Sequence, residues 1–284
     1  MIIYDNYDQI RENVKELAPK VVYKYRADWN NPLHKEMVTN QNLWFANPKD
    51  LNDLFDIRIP LQFDYSEVDS PLFYDKLKKD YLYQHQSIIL LGETIENICR
   101  EQLKLIKNNP KTYFEKSYME LRESILFDRY GIFSCTINEL SEVMWAHYGA
   151  NNTGFAIGFK TDELAEALQP DVGFGQVYYS DEVMKHSFIY NDLYKELSLF
   201  LRKSSQWEYE QEFRFYTMNP NGIENRAMKY PIPCVAEFIL GAKFPSRIKQ
   251  EFIDTVQAIF PSTTKIFELE PQISRFGYSK KLIC

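Results

Sequence analysis

The 284-residue sequence predicts an α+β fold with a mixed, largely antiparallel sheet core and a helical insertion. Segments dense in β-branched and aromatic residues recur along the chain without the regular strand–helix alternation of a doubly wound sheet. One stretch, 72–130, instead carries apolar residues at helical spacing, as in Ile95, Ile98, Cys99, Leu103 and Ile106. No internal repeat and no Gly/Ser-rich or Pro-rich linker divides the sequence, so residues 1–284 read as a single α+β domain, with 72–130 as a helical insertion or subdomain.

The elements follow in order. Residues 8–18 predict a short helix that stops before Pro19, and VVYKYR at 21–26 predicts a strand. A second strand at 43–46 is closed by Asn47-Pro48. After the helices of 72–130, a strand starts at the breaking Gly131 and runs to Thr136. A helical turn over 144–150 leads through the turn 151–154 into a strand ending at Lys160. A helix at 161–168 with Thr161 as its N-cap, a strand at 176–180 and a helix at 192–203 come next. Strands at 207–218 and 235–240, an amphipathic helix at 245–260 and a strand at 265–269 complete the chain.

Composition narrows the function. Thirty-three basic against 40 acidic residues give a formal charge of −7, and a net anion is repelled by a polyanion, which argues against non-specific duplex DNA binding. Cys99, Cys135, Cys234 and Cys284 are far apart and have no His at metal-ligand spacing, so neither a metal site nor a disulfide framework is expected, and a reducing compartment fits. The N-terminus has neither the basic nor the apolar region of a leader, and the aliphatic runs fall far short of the roughly 20 residues of a membrane span. The expectation is a cytoplasmic protein with no membrane partner. Aromatic residues make up 15% of the chain and crowd the segments that also carry charge, so they are expected to be mostly scaffold for a polar site.

Four segments carry candidate chemistry. Taken as a strand, 207–216 puts Glu208, Glu210, Glu212 and Arg214 on one face and Trp207, Tyr209, Gln211, Phe213 and Phe215 on the other. This face is either solvated or projects the pair Glu210 and Glu212 into a cleft, where a cation or positively charged ligand must compensate them. In 23–26, Lys24 and Arg26 share a face and can hold a phosphate or carboxylate, beside Tyr25. Ser134 and Thr136 offer two hydroxyls from one strand face, with Cys135 on the other as a small buried residue. Near Trp145, His147 is the only histidine in a motif-like setting, and Tyr148 can stack on a flat ring. Asn52-Asp53 and Asp56 read as Asx turns.

The order of these segments resembles the arginine, serine-x-serine/threonine, glutamate-x-glutamate series of ADP-ribosyltransferases. The resemblance implies NAD as substrate, Arg26 on its phosphates, Ser134 and Thr136 supporting the site with Tyr25, Tyr148 and His147 around the ligand, Glu212 as the catalytic carboxylate beside an oxocarbenium-like transition state, and Glu210 orienting the acceptor. The Ser-Cys-Thr form of the hydroxyl motif departs from the series. Activity as an ADP-ribosyltransferase or NAD glycohydrolase, as an effector in bacterial or phage defence or toxicity, is the expected function. A second resemblance spans Tyr23 to Gly241: YKYR, LWFANPKDLNDLFD, GIFSCT, MWAHYGANNTGFAIGF, WEYEQEFR and EFILG look like an uncharacterised bacterial family, a domain of unknown function. Leu54 stands where that pattern has Pro, and Asn152 where it has a basic residue. Two alternatives remain open. One is a metal-dependent phosphodiesterase or nuclease using Asp53, Asp56, Glu210 and Glu212. The other is a non-enzymatic module that binds a nucleotide or a protein through its exposed aromatics.

Overall fold

A computed structural model describes residues 16–84, 92–121, 123, 127–170, 172–190, 199–219 and 223–284. The strands are β1 (Val21–Arg26), β2 (Asn42–Trp44), β3 (Leu61–Phe63), β4 (Tyr130–Thr136), β5 (Phe155–Lys160), β6 (Val172–Gln176), β7 (Tyr178–Tyr179) and β8 (Met184–His186), followed by β9 (Arg202–Lys203), β10 (Glu212–Met218), β11 (Ala227–Lys229), β12 (Val235–Leu240), β13 (Lys265–Pro271) and β14 (Tyr278–Leu282). Eight of them form one sheet in the order β14-β13-β12-β5-β1-β4-β10-β6. Every pairing in it is antiparallel except β12 with β13. The α+β architecture follows directly from the β-rich segments, while short strand pairs decorate the sheet.

Burial explains the sequence of each strand. Strand β5 lies in the middle of the sheet and reads FAIGFK, apolar on both faces because both are covered. Helix Ser246–Ile259 connects the parallel pair β12 and β13 and inserts Phe252 and Val256 into the main core, where Phe252 meets Trp29 edge-on with ring centres 4.7 Å apart. The region 72–130 forms helices Pro71–Gln84, Gly92–Asn108 and Pro110–Leu121, whose own core stacks Phe73 on Phe114 at 5.6 Å and 4°. Among the described residues no helix is long and apolar enough to cross a membrane.

Some elements differ from the sequence expectation. The helix at 8–18 lies outside the described residues except for its last turn, and the one at 192–203 does so over its first part. Where that second helix would end, Arg202 and Lys203 form β9 beside β7. The strand expected at 176–180 is divided: β6 ends on its first residue, Gln176, and β7 occupies its middle. Thr161 begins its helix but Lys160 is the cap residue, without a side-chain cap bond. β14 has no counterpart among the expected strands.

The largest correction concerns 207–211. Residues Ser205–Glu210 form a 3-10 helix, and Gln211 takes a left-handed backbone at φ 42° before β10 begins at Glu212. Period-two alternation therefore holds only from Glu212 onward, and Trp207 and Tyr209 do not alternate with the glutamates across a sheet. The left-handed residue turns the chain so that Glu210 and Glu212 still converge, by a route that strand geometry does not provide.

One irregularity in the main sheet positions the site. β1 runs alongside β5 in register over all six of its residues, from Val21 opposite Lys160 to Arg26 opposite Phe155. Against β4 it pairs only at Tyr23 with Thr136. Farther along, the free edge of β4 is taken by another segment: Ala46 and Ile132 exchange backbone hydrogen bonds of 2.7 and 2.9 Å. The sheet is therefore split between β1 and β4, with a wedge opening beyond Tyr23.

Candidate functional site

A cavity of about 320 Å³ occupies this wedge. β1 supplies Tyr23, Lys24, Tyr25 and Arg26, and β4 supplies Ile132, Ser134 and Cys135. The segment that caps the free edge of β4 brings Trp44, Ala46, Asn52 and Asp56, while Tyr148, Lys203, Glu210 and Glu212 close the remaining side. Because β1 and β4 have parted, the Ser134 carbonyl has no backbone partner on β1. Lys24 Nζ donates to it instead, at 2.6 Å.

The acidic wall is built on β10, an otherwise apolar buried strand that carries Glu212 and Arg214 two residues apart and hence on one face. A guanidinium has five N–H donors, and all five of Arg214 are used. Nε and Nη2 donate to the two Glu212 oxygens at 2.6 and 2.8 Å, Nη1 and Nη2 to the two Asp56 oxygens, and Nη1 also to the Phe200 carbonyl at 2.9 Å. Lys203 joins them, with Nζ 2.6 Å from Glu210, 3.6 Å from Glu212 and 3.7 Å from Asp56, and 4.5 Å from the centre of the Trp207 ring. Tyr148 donates its hydroxyl to Glu210 Oε1 and accepts from Asn52 Nδ2 at 2.7 Å. The Glu212 backbone is pinned as well, its N–H on the Tyr179 hydroxyl at 2.8 Å and its carbonyl on the Val177 N–H at 2.9 Å.

These surroundings push the two glutamates in opposite directions. Burial alone would raise Glu212, but Arg214, Lys203 and a hydrogen bond from Ser134 outweigh it and hold the carboxyl at about 2. Burial raises Glu210, Lys203 draws it back, and the neighbouring Glu212 charge raises it further, so it ends above the ordinary carboxylate value. Glu212 is thus a fixed anion and Glu210 the member of the pair suited to proton traffic. Three carboxylates against two cations leave this wall one net negative charge.

The opposite wall carries the other sign. Burial, reinforced by the charge of Arg26, lowers Lys24 to about 8, and burial lowers Arg26 to about 10. Cys135 is buried and its thiol is pushed up to about 12, as befits a packing residue and not a thiolate nucleophile.

Of the eight residues the sequence singled out, six line the cavity: Tyr25, Arg26, Ser134, Tyr148, Glu210 and Glu212. Thr136 and His147 do not. Thr136 sits at the closed end of the wedge between Tyr23 and Glu212, and its hydroxyl accepts the Asn138 N–H at 3.1 Å. His147 is exposed at the end of helix Glu142–His147, its ring edge-on to Tyr148 and Tyr209. Tyr25 is chiefly a strut, its ring 4.8 Å from Trp145 and its hydroxyl on the Asn138 carbonyl. Sequence reasoning missed Lys203 as a site residue by assigning it to a helix, and it counted Arg214 as sharing a face with the glutamates without pairing them. The i, i+2 spacing of Glu212 and Arg214 inside an apolar run was the available signal.

The carboxylates of the metal-dependent alternative also converge in part, since Asp56, Glu210 and Glu212 all lie within 4 Å of Lys203 Nζ. Their oxygens face Lys203 and Arg214, the cations the chain itself supplies. Asp53 is elsewhere, accepting the Phe55 N–H at 2.9 Å in the expected Asx turn. Among the described residues no group of three or more His, Cys, Asp or Glu is arranged to hold a metal ion.

Known proteins add one observation. Residues 144–215 match a family described as "Protein of unknown function (DUF2971)". That span starts at Met144, includes Tyr148, Lys203, Glu210, Glu212 and Arg214, and so holds most of the acidic wall, whereas β1 and β4 lie before it. No curated protein and no solved structure matches the chain.

Proposed function

We propose that the chain binds NAD in the β1–β4 wedge and breaks its nicotinamide–ribose bond, passing ADP-ribose to water or to an acceptor. The observation that carries this reading is the meeting of Arg26, Ser134, Tyr148, Glu210 and Glu212 around one cavity, although they lie as far apart in sequence as β1 and β10. The cavity volume is at the lower end of the roughly 300–1,000 Å³ of ligand pockets, enough to enclose the reacting part of a dinucleotide while the rest extends past the exposed Trp44.

The chemistry suits these groups. The C1′–N bond breaks with its electron pair going to nicotinamide, which neutralises the pyridinium and leaves positive charge on the ribose. The ionised Glu212, in a wall of net negative charge, stabilises that charge where water screens it weakly. Glu210 takes the proton of the incoming water or acceptor hydroxyl as the new C1′–O bond forms. Arg26 holds phosphate, and Tyr148 offers a ring face. The four free cysteines are consistent with work in the reducing cytoplasm.

The test is release of nicotinamide from NAD by the purified full chain, followed by chromatography. The expectation is turnover in the parent and a loss of roughly a hundredfold or more in Glu212→Gln and Glu210→Gln variants that remain folded by circular dichroism. NAD binding without any turnover favours the non-enzymatic module, and a protein that shows no binding and no turnover overturns the proposal.

A further inference from the structure

The two walls of the cavity are unequal, and the NAD reading gives no part to Lys24. Lys203 and Arg214 have carboxylates on every side. Lys24 and Arg26 form no ion pair among the described residues, and Glu212 and Glu210 act on Lys24 only from across the cavity. Lys24 Nζ meets the Ser134 carbonyl and lies 5.0 Å from the centre of the Phe133 ring. Arg26 Nη1 reaches only its neighbour's carbonyl at 3.5 Å, and its Nε is buried with no hydrogen-bond partner at all.

A cation that loses water without gaining a counter-ion destabilises the fold, and a buried donor without an acceptor adds to that cost. Two such groups, two residues apart on one strand, concentrate two positive charges on the wedge wall. Alternate residues of a strand stand about 7 Å apart, and side chains of this length can close on two neighbouring phosphate groups. A singly charged diester would leave one of them uncompensated.

We infer that Lys24 is a second anion-binding residue beside Arg26, and that the cavity takes a diphosphate-bearing nucleotide in preference to a monophosphate or a nucleoside. The inference rests on the cavity being a nucleotide site and is independent of any bond being cleaved there. It assigns the β1 wall to the ligand's charge and leaves the acidic wall to its other end. The lone carbonyl contact of Lys24 is what a phosphate oxygen would supplement, since an ammonium has three donors.

The experiment is calorimetric titration of the full-length parent and of Lys24→Met and Lys24→Arg variants with ADP, AMP and adenosine. The parent is expected to bind ADP more tightly than AMP, and AMP more tightly than adenosine. Lys24→Met is expected to weaken ADP by roughly ten- to hundredfold and to leave adenosine unchanged, while Lys24→Arg restores most of the ADP affinity. Because the substitution removes a half-buried charge that has no ion-pair partner, Lys24→Met is also expected to melt above the parent when no ligand is present, which guards against loss of fold as the explanation. Equal affinity of parent and Lys24→Met for ADP overturns the inference, as does ADP binding no tighter than adenosine or no binding of either. Lys24-dependent ADP binding with no release of nicotinamide from NAD leaves this inference standing and removes the proposed reaction. Turnover of NAD that is indifferent to Lys24→Met does the reverse.

Discussion

Arg214 and Glu212 form a two-pronged pair inside the sheet, with Nε on Oε1 at 2.6 Å and Nη2 on Oε2 at 2.8 Å, and the same guanidinium holds Asp56 by both of its oxygens. All three side chains are nearly inaccessible to water. The cluster ties β10 to the loop carrying Asp56 and fixes the direction of the Glu212 carboxylate. Replacing Arg214 by Met leaves three buried carboxylates, Asp56, Glu210 and Glu212, with only Lys203 to answer them, and breaking a buried pair in this way costs about 3–5 kcal/mol. Arg214→Lys keeps the charge but loses the planar fork, so it is expected to fall between the parent and Arg214→Met. Urea unfolding of the three proteins gives the order, and a parent-like midpoint for Arg214→Met contradicts it.

The same pair dictates how acid unfolds the protein. The Glu212 carboxyl, at about 2, lies below its ordinary value of 4.5, so its stabilising contribution is complete above 4.5 and is lost as pH falls towards 2. The size of that contribution is on the order of 3 kcal/mol. Glu210 has the opposite sign: its carboxyl is raised, so what it contributes is present at low pH and declines as pH rises through that raised value. A Glu212→Gln variant is therefore expected to be less stable at neutral pH and to show a flatter loss of stability between pH 4.5 and 2. Urea midpoints measured across that range decide it, and parallel curves for parent and variant refute the assignment.

How far the sequence revealed this site depends on which residues obey a local rule. Arg26, Ser134 and Glu212 sit on strands whose β-branched and aromatic residues announce them, so their place and order could be read directly. The sheet itself was legible for the same reason. Lys203 was not, because β9 is two residues long and gains its identity only from pairing with β7. Glu210 was found for the wrong geometric reason, since the left-handed Gln211 is an outcome of tertiary structure that no residue preference announces. The split between β1 and β4 was also invisible, because VVYKYR reads as an ordinary strand whether or not its second edge is paired. Fixed charges in an apolar strand are what sequence can flag, and their partners are what it cannot.

Tyr148 connects the acidic wall to the loop of Asn52, and its hydroxyl bond to Glu210 lowers the pKa of that carboxyl. Tyr148→Phe removes the donor and keeps the ring. If Glu210 accepts a proton in the rate-determining step, it must be ionised to act, so the low-pH limb of the NAD-cleavage profile is expected to move to higher pH in Tyr148→Phe. The rate on the plateau falls less than in Glu210→Gln, because the carboxylate is still present. A profile that drops uniformly without moving along the pH axis assigns Tyr148 to binding alone.

Gly154 controls the end of β1 from outside the cavity. It closes the turn 151–154, which the chain enters through left-handed backbone at Ala150, Asn151 and Asn152, and a Cβ on it would lie 2.1 Å from the Arg26 carbonyl and 3.1 Å from the Ala27 Cα. Both neighbours are backbone, so neither can rotate away, and the turn is tied on its far side by the Gly241 N–H on the Gly154 carbonyl at 2.9 Å. Gly154→Ala must therefore displace the last residue of β1, the one that carries the guanidinium into the wedge. The expected cost is about 1–3 kcal/mol of stability together with weaker binding of ADP. Gly277 supplies the comparison, because it has φ of 119° but no atom within 4 Å of the place a Cβ would take, and it lies between β13 and β14. Gly277→Ala is expected to lose stability through its backbone conformation alone and to bind ADP as the parent does. Thermal melts and ADP titrations of the two variants separate the cases: if both lose stability and neither loses affinity, the contact of Gly154 with β1 does not position Arg26.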